Sequence, residues 1–345
     1  MSSSKSANAV LAKAHAKFGK RLTEKDYASL LSCGSVAEVV AYLKNNTYYS
    51  EVLKKINERE VHRGRLEQIL KQKLFEDFSS LCIYVKGTGE YFAQFMTQKN
   101  DIEHIVHFLT LLSSNSSDEF IFSMPSYFMT HSQINIYSIS KARTYDQFFD
   151  CFIGTPYDSV LAEFRPHNNE HVNIAEIENK LYKFCYKNLY NSISKYSSGK
   201  EREALFNMFD SIMDYMNFVR VYRLKQYYHA GADTTRRFMF PFGTFDSKTV
   251  DKLCEADSGK AVFDAVKSTK FGKSLEKLEY VYTGEIDNIG LYKTTLKNMY
   301  FSTYPLVVML SYVFVMQTEY NNIVSIIEGV RYNVDSSKIK SIIIT

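Results

Sequence analysis

The sequence repeats itself, and an internal repeat limits the possible folds more strongly than any single motif does. One pattern consists of Thr, any residue, an aromatic residue, three further residues and Leu. It occurs in three places: NNTYYSEVL with Thr47, Tyr49 and Leu53, IGTPYDSVL with Thr155, Tyr157 and Leu161, and KSTKFGKSL with Thr269, Phe271 and Leu275. Successive copies start 108 and 114 residues apart. A period of about 110 residues is long enough for a helical domain with its own core.

A second pattern, an acid followed by an amphipathic run, alternates with the first. Its copies are DIEHIVHFL from Asp101, DYMNFVRVY from Asp214 and EYNNIVSII from Glu319. The gap from the Thr of the first pattern to the acid of the second is 54, 59 and 50 residues. Three ordered pairs at similar gaps predict an internal triplication.

Between the paired patterns, apolar residues recur in steps of three and four, as they do on the buried face of a helix. The positions are Leu66, Ile69, Leu70, Leu74, Phe78 and Leu81 in the first copy, Ile174, Ile177, Leu181, Phe184, Leu189 and Ile193 in the second, and Ile286, Ile289, Leu296 and Met299 in the less regular third. Only 5 prolines and 14 glycines interrupt the chain. The sequence therefore predicts an all-α protein, each unit having a short helical pair and two long helices, the second ending in the acid-led run.

Turn-forming stretches divide the chain into the predicted units. The division is an N-terminal tail and helix start at 1–17, helical unit 1 at 18–112, a linker at 113–133, helical unit 2 at 134–228, a linker at 229–243 and helical unit 3 at 244–345. Two helix starts carry sequence signals. Thr23 with Asp26 three residues later forms a capping arrangement, and Ser247 follows the turn PFGTFD.

The most apolar stretch runs from Tyr304 to Met316, where Ser311 is the one polar interruption. These 13 residues fall short of the roughly 20 that a helix needs to cross a bilayer. The next residues include Glu319 and two asparagines, which would be costly inside lipid. We expect a buried helix that becomes amphipathic at its end.

Composition narrows the classes of function. The formal net charge is +4, and basic residues alternate with acidic ones, so no nucleic-acid-binding patch is predicted. The 5 cysteines lie far apart without a CxxC pair, which argues against a disulfide framework or a thiolate metal site. The N-terminal stretch is polar and basic rather than apolar, which is unlike a secretory signal. We expect the protein in the cytoplasm.

One motif suggests a metal-dependent hydrolase. His167, Glu170 and His171 match the letters of an HxxEH zinc motif, in which two histidines hold the metal and the glutamate activates water. That chemistry requires a helix to fix the ligands, whereas these residues follow Pro166 in a polar connector. A surface loop is the favoured interpretation.

Other motif fragments are weaker still. His104 and His107 lie three apart, yet no third ligand is close in sequence. Gly272, Lys273 and Ser274 end like a phosphate-binding loop but lack its first glycine, since residue 267 is Lys267. KGTGEYF has Phe92 where a dinucleotide fingerprint requires glycine. We therefore predict no catalytic residues, no cofactor and no metal site, and the sequence does not identify binding residues.

The ordered patterns resemble a known family. LTEKDYASLL at the start, FPFGTFD before the third unit and EYNNIVSIIEGVRYNVDSSKIKSIII at the end are similar to the central-stalk component of rotary V-type and archaeal-type ATPases, called the C subunit or, in vacuoles, the d subunit. The closing stretch is the most specific part: Glu319, Asn322, Ile323, Gly329, Tyr332 and a final helix from Ser336. The chain departs from the family at His104, where an Asn is usual, and at Val324 and Ser325.

This resemblance implies a funnel-shaped, three-part helical adaptor without catalytic activity. It would sit on the membrane-embedded proteolipid ring and hold the shaft subunits D and F, coupling ATP hydrolysis or synthesis to proton or sodium transport. The protein would then be peripheral to the membrane through its complex, with no direct membrane span and no nucleic acid. The alternatives are a generic helical scaffold, which the long period disfavours, and the hydrolase above.

Overall fold

The computed structural model describes residues 4–58, 63–85, 88–120, 131–166, 172–275 and 286–345. Within these ranges the chain forms α-helices and two 3-10 turns, and no strand occurs among them. The helices are α1 (Ser4–Phe18), α2 (Glu24–Leu31), α3 (Val36–Asn46), α4 (Ser50–Leu53), α5 (Arg63–Cys82), α6 (Thr88–Ser113), α7 (Ile136–Ser140), α8 (Tyr145–Asp150), α9 (Asp158–Leu161), α10 (Ile174–Tyr196), α11 (Gly199–Gln226), α12 (Ala232–Phe238), α13 (Ser247–Glu255), α14 (Gly259–Val266), α15 (Lys270–Leu275), α16 (Ile286–Phe301), α17 (Pro305–Arg331) and α18 (Ser336–Ile342). The predicted all-α class is confirmed.

The chain divides into two compact units. The larger contains Met1–Val85 and Ser198–Thr345, and the smaller contains Lys86–Ser197. Helices α1–α5 and α11–α18 belong to the larger unit, and α6–α10 to the smaller. This division reflects which residues pack together. The three units and their boundaries come from the repeated sequence patterns and stay a prediction.

The apolar stretch near the end of the sequence forms the centre of the larger unit. Every residue from Leu306 to Met316 is buried, and α17 lies against α1, α5, α11 and α16. Pro305 occupies the first turn, where its missing N–H costs no intrahelical hydrogen bond. The prediction of a buried helix is confirmed. None of the helices in the described ranges combines the length and the apolarity required to cross a membrane.

The Thr of the first pattern marks a break between two short helices in all three places. Thr47 Oγ1 donates a hydrogen bond to the Leu43 carbonyl over 2.6 Å, and the Tyr49 N–H donates back to the same hydroxyl over 3.3 Å. Thr155 donates to the Phe152 carbonyl just beyond α8, Thr269 donates to the Val266 carbonyl at the end of α14, and each hydroxyl accepts from a following N–H. The hydroxyl thus satisfies backbone groups at a helix end and fixes the turn.

Local signals also place the predicted helix starts correctly. Thr23 caps α2 in a complete capping box with Asp26, as the sequence predicted. Helix α13 begins at Ser247 as expected, although its capping side chain belongs to Asp246, which accepts from the Thr249 N–H over 2.8 Å. These caps fix where the two short helices begin.

The end of α17 explains the closing stretch of the sequence. Asn333 adopts a left-handed conformation with a φ of 52°, and the Val334 N–H donates to the Gly329 carbonyl over 2.8 Å. This is the hydrogen-bond pattern of a Schellman helix end, for which Asn is the usual substitute for glycine. The chain then turns into α18, whose Ile339 packs against α17 beside Gly329.

The smaller unit is held together by α6 and α10. Ring contacts join Tyr91 to Tyr196 and Phe95 to Tyr186, so the two helices run antiparallel. Stacked and edge-to-face phenylalanines fill the space between α6 and the short helices that follow it; they are Phe108, Phe120, Phe148 and Phe152. Such aromatic pairs add stability beyond the area that they bury.

Candidate functional site: a buried carboxylate on each acid-led helix

Helix α11 carries the most complete version of the acid-led pattern. The Asp214 carboxylate is buried and accepts hydrogen bonds from the N–H of Thr244, over 2.8 Å, and from its hydroxyl. Gly243 lies directly against this carboxylate with a φ of 111°, and a Cβ there would overlap Asp214 Oδ1. Only glycine therefore fits at this position.

The next two turns of α11 hold the same loop. Asn217 is buried; its amide donates to the carbonyls of Phe240 and Phe242 over 3.0 and 3.2 Å, and its oxygen accepts from the Phe240 N–H over 2.7 Å. Arg220 donates to the Phe238 carbonyl over 2.8 Å. Side chains three residues apart share one helix face. One face of α11 thus forms hydrogen bonds with backbone groups along residues 238–244. We use the term clamp for such an arrangement, in which an acid on a long helix binds another segment of the chain.

Helix α17 carries a second clamp with different partners. Glu319 is 4% exposed and accepts three hydrogen bonds, from the Leu22 N–H over 2.7 Å, the Tyr49 hydroxyl over 2.9 Å and the Tyr48 hydroxyl over 3.0 Å. A buried carboxylate is tolerated when donors replace its water, and here three residues do so. The clamp ties α17 to the start of α2 and to the break between α3 and α4.

Asn322, one turn further along α17, repeats the amide contacts of the first clamp. Its side chain donates to the Ile344 carbonyl over 2.6 Å and accepts from the Ile344 N–H over 2.9 Å. It also donates to the Tyr27 hydroxyl over 3.2 Å. The acid of EYNN therefore binds the N-terminal part of the chain, and the amide joins Ile344, near residue 345, to Tyr27 in that same N-terminal part.

Helix α6 carries the third clamp, inside the smaller compact unit. Asp101 is fully buried and accepts from the Tyr157 hydroxyl over 2.8 Å, the Gln133 N–H over 3.0 Å and the Ser132 hydroxyl. Where the other clamps have an asparagine, this one has His104, whose Nε2 lies 2.9 Å from the Asn100 amide. In that contact the partner of the histidine lies on the same helix, whereas the asparagines of the other clamps bind other segments.

Burial raises the pKa of all three acids. Desolvation raises the pKa of Asp101 to about 6, that of Asp214 to about 6 and that of Glu319 to about 7. The hydroxyl and N–H donors oppose this shift, since they favour the charged form, but burial is the larger effect. Each of the three carboxyls is thus held in a buried site where desolvation keeps its pKa above its usual value.

The clamps also connect the two sequence patterns. Tyr157 belongs to the second copy of the Thr-aromatic pattern and binds the first acid, and Tyr49 belongs to the first copy and binds the last acid. The third copy has Phe271, which has no hydroxyl; its ring packs edge-on against Tyr215, the neighbour of Asp214, at 4.9 Å. Each acid-led helix thus meets the pattern that follows it, with the last acid meeting the first pattern.

The sequence identified the acids but not their partners. Tyr48, Thr244 and the Leu22 N–H carry no recurring letters, and nothing in the periodicity assigns them to a carboxylate. A usable signal was present nonetheless. An acid on an otherwise apolar helix face needs donors, and the buried tyrosines of the other pattern are suitable ones.

The structure describes only some of the residues considered for catalysis. His167, Glu170 and His171 fall outside the described residues. His104 and His107 lie on α6, where burial lowers the pKa of His107. No group of three or more His, Cys, Asp or Glu side chains in the described ranges is placed to hold a metal ion. Gly272 packs so tightly that a Cβ would overlap the Val266 carbonyl, which explains this glycine without a phosphate.

Comparison with known proteins identifies a family for this sequence. Residues 10–342 match the family described as ATP synthase (C/AC39) subunit. The chain is also 23% identical over 216 residues to the C subunit of the A-type ATP synthase of Methanosphaera stadtmanae, an alignment that covers 62% of this chain. It covers 53% of that protein, so the chain spans about half the length of the curated relative that it matches. Because the family match extends over nearly the whole sequence, the chain belongs to the ATP synthase C/AC39 subunit family.

Proposed function

We propose that this chain is the rotor adaptor of a V-type or A-type ATPase. It couples the central shaft to the proteolipid ring, so that ATP hydrolysis or synthesis is linked to the transport of protons or sodium ions. The observation that carries the proposal is the family match over residues 10–342. Members of this family are non-catalytic subunits of the complex, and the proposed role accordingly requires no bond chemistry.

The clamps support the proposal that this chain transmits force within the complex. A coupling subunit must not lose torque by bending where its loops meet its helices. In each clamp a backbone N–H of a loop donates a hydrogen bond to a carboxylate on a long helix. The carboxylates are those of Asp101, Asp214 and Glu319. Buried hydrogen-bond networks rigidify a fold when every member is satisfied, as the carboxylates of Asp214 and Glu319 are by their donors.

The triplication belongs to the same proposal. Three copies of the acid-led helix, each paired with a Thr-aromatic break, suit a funnel of three similar parts with the boundaries predicted from the sequence. Partners in this proposal are the shaft subunits D and F inside the funnel and the proteolipid ring beneath it. The chain is held at the cytoplasmic side of the membrane through those partners.

Affinity purification tests this function directly. The tagged chain is isolated from detergent-solubilised membranes and separated by size, and co-purifying proteins are identified by mass spectrometry. We expect stoichiometric proteolipid and shaft subunits. As a control, a tag on an unrelated cytoplasmic protein is carried through the same procedure. Recovery of the chain as a free monomer under conditions that keep the rest of the ATPase intact would overturn the proposal.

A further inference from the structure

Exposed aromatic side chains lie at the end of α16, in the larger compact unit. Phe301 is 79% exposed, more than any other large apolar side chain in the described ranges, and the adjacent Tyr300 is 56% exposed. Tyr300 also packs edge-on against Phe18 of α1, with ring centres 5.5 Å apart. Adjacent exposed aromatic residues with a polar rim are typical of a contact with a protein or a membrane.

The exposed face of α16 is basic. Lys293, Lys297 and Phe301 follow one another at four-residue steps, so they share one helix face, and all three are exposed. The sequence contains no acid between residues 288 and 318. Two ammonium groups thus lead along α16 to the exposed Phe301 ring.

A second basic segment is held against this end of α16. Arg21, which follows α1, donates to the Tyr300 hydroxyl over 2.9 Å, and Lys20 beside it is exposed. The Leu22 N–H donates to Glu319 over 2.7 Å, so the clamp on α17 fixes this segment in place. We use the name basic aromatic patch for six residues: Lys20, Arg21, Lys293, Lys297, Tyr300 and Phe301.

The patch carries a surplus of positive charge. Within the part of the chain that the structure describes, none of its three lysines forms an ion pair. Acids at its edges reduce this charge without cancelling it: Glu201 accepts from the Leu306 N–H over 3.1 Å, and Glu24 comes three residues after Arg21. Four cations beside these acids leave a positive surface, which attracts an anionic partner.

An anionic membrane surface fits both properties of the patch. Lysine and arginine side chains attract lipid phosphate groups, and aromatic rings enter the boundary between head groups and acyl chains. The proposed function holds this chain beside a membrane, and the choice of lipid over nucleic acid or an acidic protein rests on that proposed function.

We propose that the basic aromatic patch binds the anionic surface of a lipid bilayer. Phe301 enters the boundary between head groups and acyl chains, Tyr300 stays at the level of the head groups, and the four cations contact lipid phosphates. The contact is peripheral and reversible, because one aromatic pair with a few cations binds far more weakly than an inserted helix. It adds a direct lipid contact to the association through partner subunits.

Co-sedimentation of the purified full chain with lipid vesicles tests the proposal. We expect binding to vesicles of phosphatidylcholine and phosphatidylglycerol, little binding to phosphatidylcholine alone, and weaker binding at higher salt. Lys297→Glu should lower the partition coefficient for the mixed vesicles by about tenfold or more, because it reverses one charge of the patch. Phe301→Ala should lower it by about tenfold, because the ring that leaves water is removed.

Two matched variants control for general effects. Lys260→Glu reverses the charge of an exposed lysine on α14, and Tyr228→Ala removes an aromatic ring that is 75% exposed beyond the end of α11. Both residues lie outside the patch, so both variants should leave the partition coefficient unchanged. Circular dichroism of each variant confirms that the helices are retained.

Failure of the mixed vesicles to bind the wild-type chain overturns the proposal. Equal weakening by Lys260→Glu and Lys297→Glu also overturns it, because the attraction would then come from the overall charge. Wild-type binding by Phe301→Ala does the same, since a site for any polyanion, such as nucleic acid or an acidic protein, needs no inserted ring. None of these results alters the recovery of shaft and proteolipid subunits by affinity purification, so failure of the lipid contact and failure of the coupling role are distinguishable.

Discussion

The clamps on α11 and α17 use similar side chains to hold different kinds of contact. Asp214 binds a loop 30 residues later in the sequence, through Thr244. Glu319 binds residues that are 270 to 297 positions away, through Tyr49, Tyr48 and Leu22. The first clamp shapes a local loop, whereas the second joins the beginning of the described chain to its last long helix. A buried carboxylate on a helix can therefore bind either a nearby loop or segments that are distant in the sequence.

The comparison predicts unequal costs for removing the two acids. Glu319→Ala leaves three donors from two distant segments without their acceptor, and we expect the free energy of unfolding to fall by about 4 kcal/mol. Asp214→Ala leaves donors of a single loop, which can reach water by local movement, so we expect about 2 kcal/mol. Urea unfolding followed by circular dichroism measures both.

Glu51→Ala serves as the control, because Glu51 is an exposed acid on the short helix α4. It should change the free energy of unfolding by less than about 0.5 kcal/mol. If Glu319→Ala were no more destabilising than Glu51→Ala, the long-range clamp would not contribute to stability.

The two acids are expected to affect stability over different pH ranges. Burial raises the pKa of Glu319 from 4.5 to about 7, so the folded state binds this proton more tightly than the unfolded state. Its contribution to stability is complete below about pH 4.5 and is lost as the pH rises to about 7, a fall of roughly 3 kcal/mol. Glu319→Gln should remove that slope.

The corresponding window for Asp214 lies lower. Its pKa rises from 3.8 to about 6, so Asp214→Asn should reduce the slope of the stability profile between about pH 4 and pH 6, where Asp101 also contributes, and leave the region near pH 7 unaltered. Urea melts of the wild type and of each variant across this range measure the two slopes. Identical pH profiles for the wild type and Glu319→Gln would contradict the account.

A glycine substitution probes the local clamp alone. Gly243→Ala introduces a Cβ that overlaps the Asp214 carboxylate at a φ of 111°, and we expect a loss of about 2–3 kcal/mol. Gly154 also has a positive φ, of 77°, but nothing lies within 4 Å of its Cβ position. Gly154→Ala should therefore cost only about 1 kcal/mol. Equal melting temperatures for the two variants would show that the contact with Asp214 is unimportant.

The smallest effect concerns one hydroxyl. Tyr49→Phe removes one of the three donors to Glu319 and converts the first copy of the pattern into the form found at Phe271. We expect a loss of about 1 kcal/mol, because Tyr48 and Leu22 still satisfy the carboxylate. Differential scanning calorimetry measures it. A loss as large as that of Glu319→Ala would mean that the three donors do not act separately.

The sequence predicted the elements better than their pairing. Apolar spacing at Leu66 to Leu81 and the length of the Tyr304 stretch correctly gave a long helix and a buried one, since both depend on local periodicity. The pairing of Tyr157 with Asp101 depends on which helix faces meet, which periodicity does not encode. Gly243 lies in the turn FPFGTFD, but its contact with Asp214, 29 positions earlier, depends on the three-dimensional packing of the loop on α11.

Depletion and restoration of the chain test the coupling role most directly. ATPase complexes in sealed vesicles are assembled with and without the chain, and ATP hydrolysis and ion transport are measured in the same preparation. We predict that complexes lacking the chain retain hydrolysis by the catalytic subunits but transport no ions, and that adding the wild-type chain restores transport. Ion transport per ATP that is unchanged by removal of the chain would contradict the proposed role.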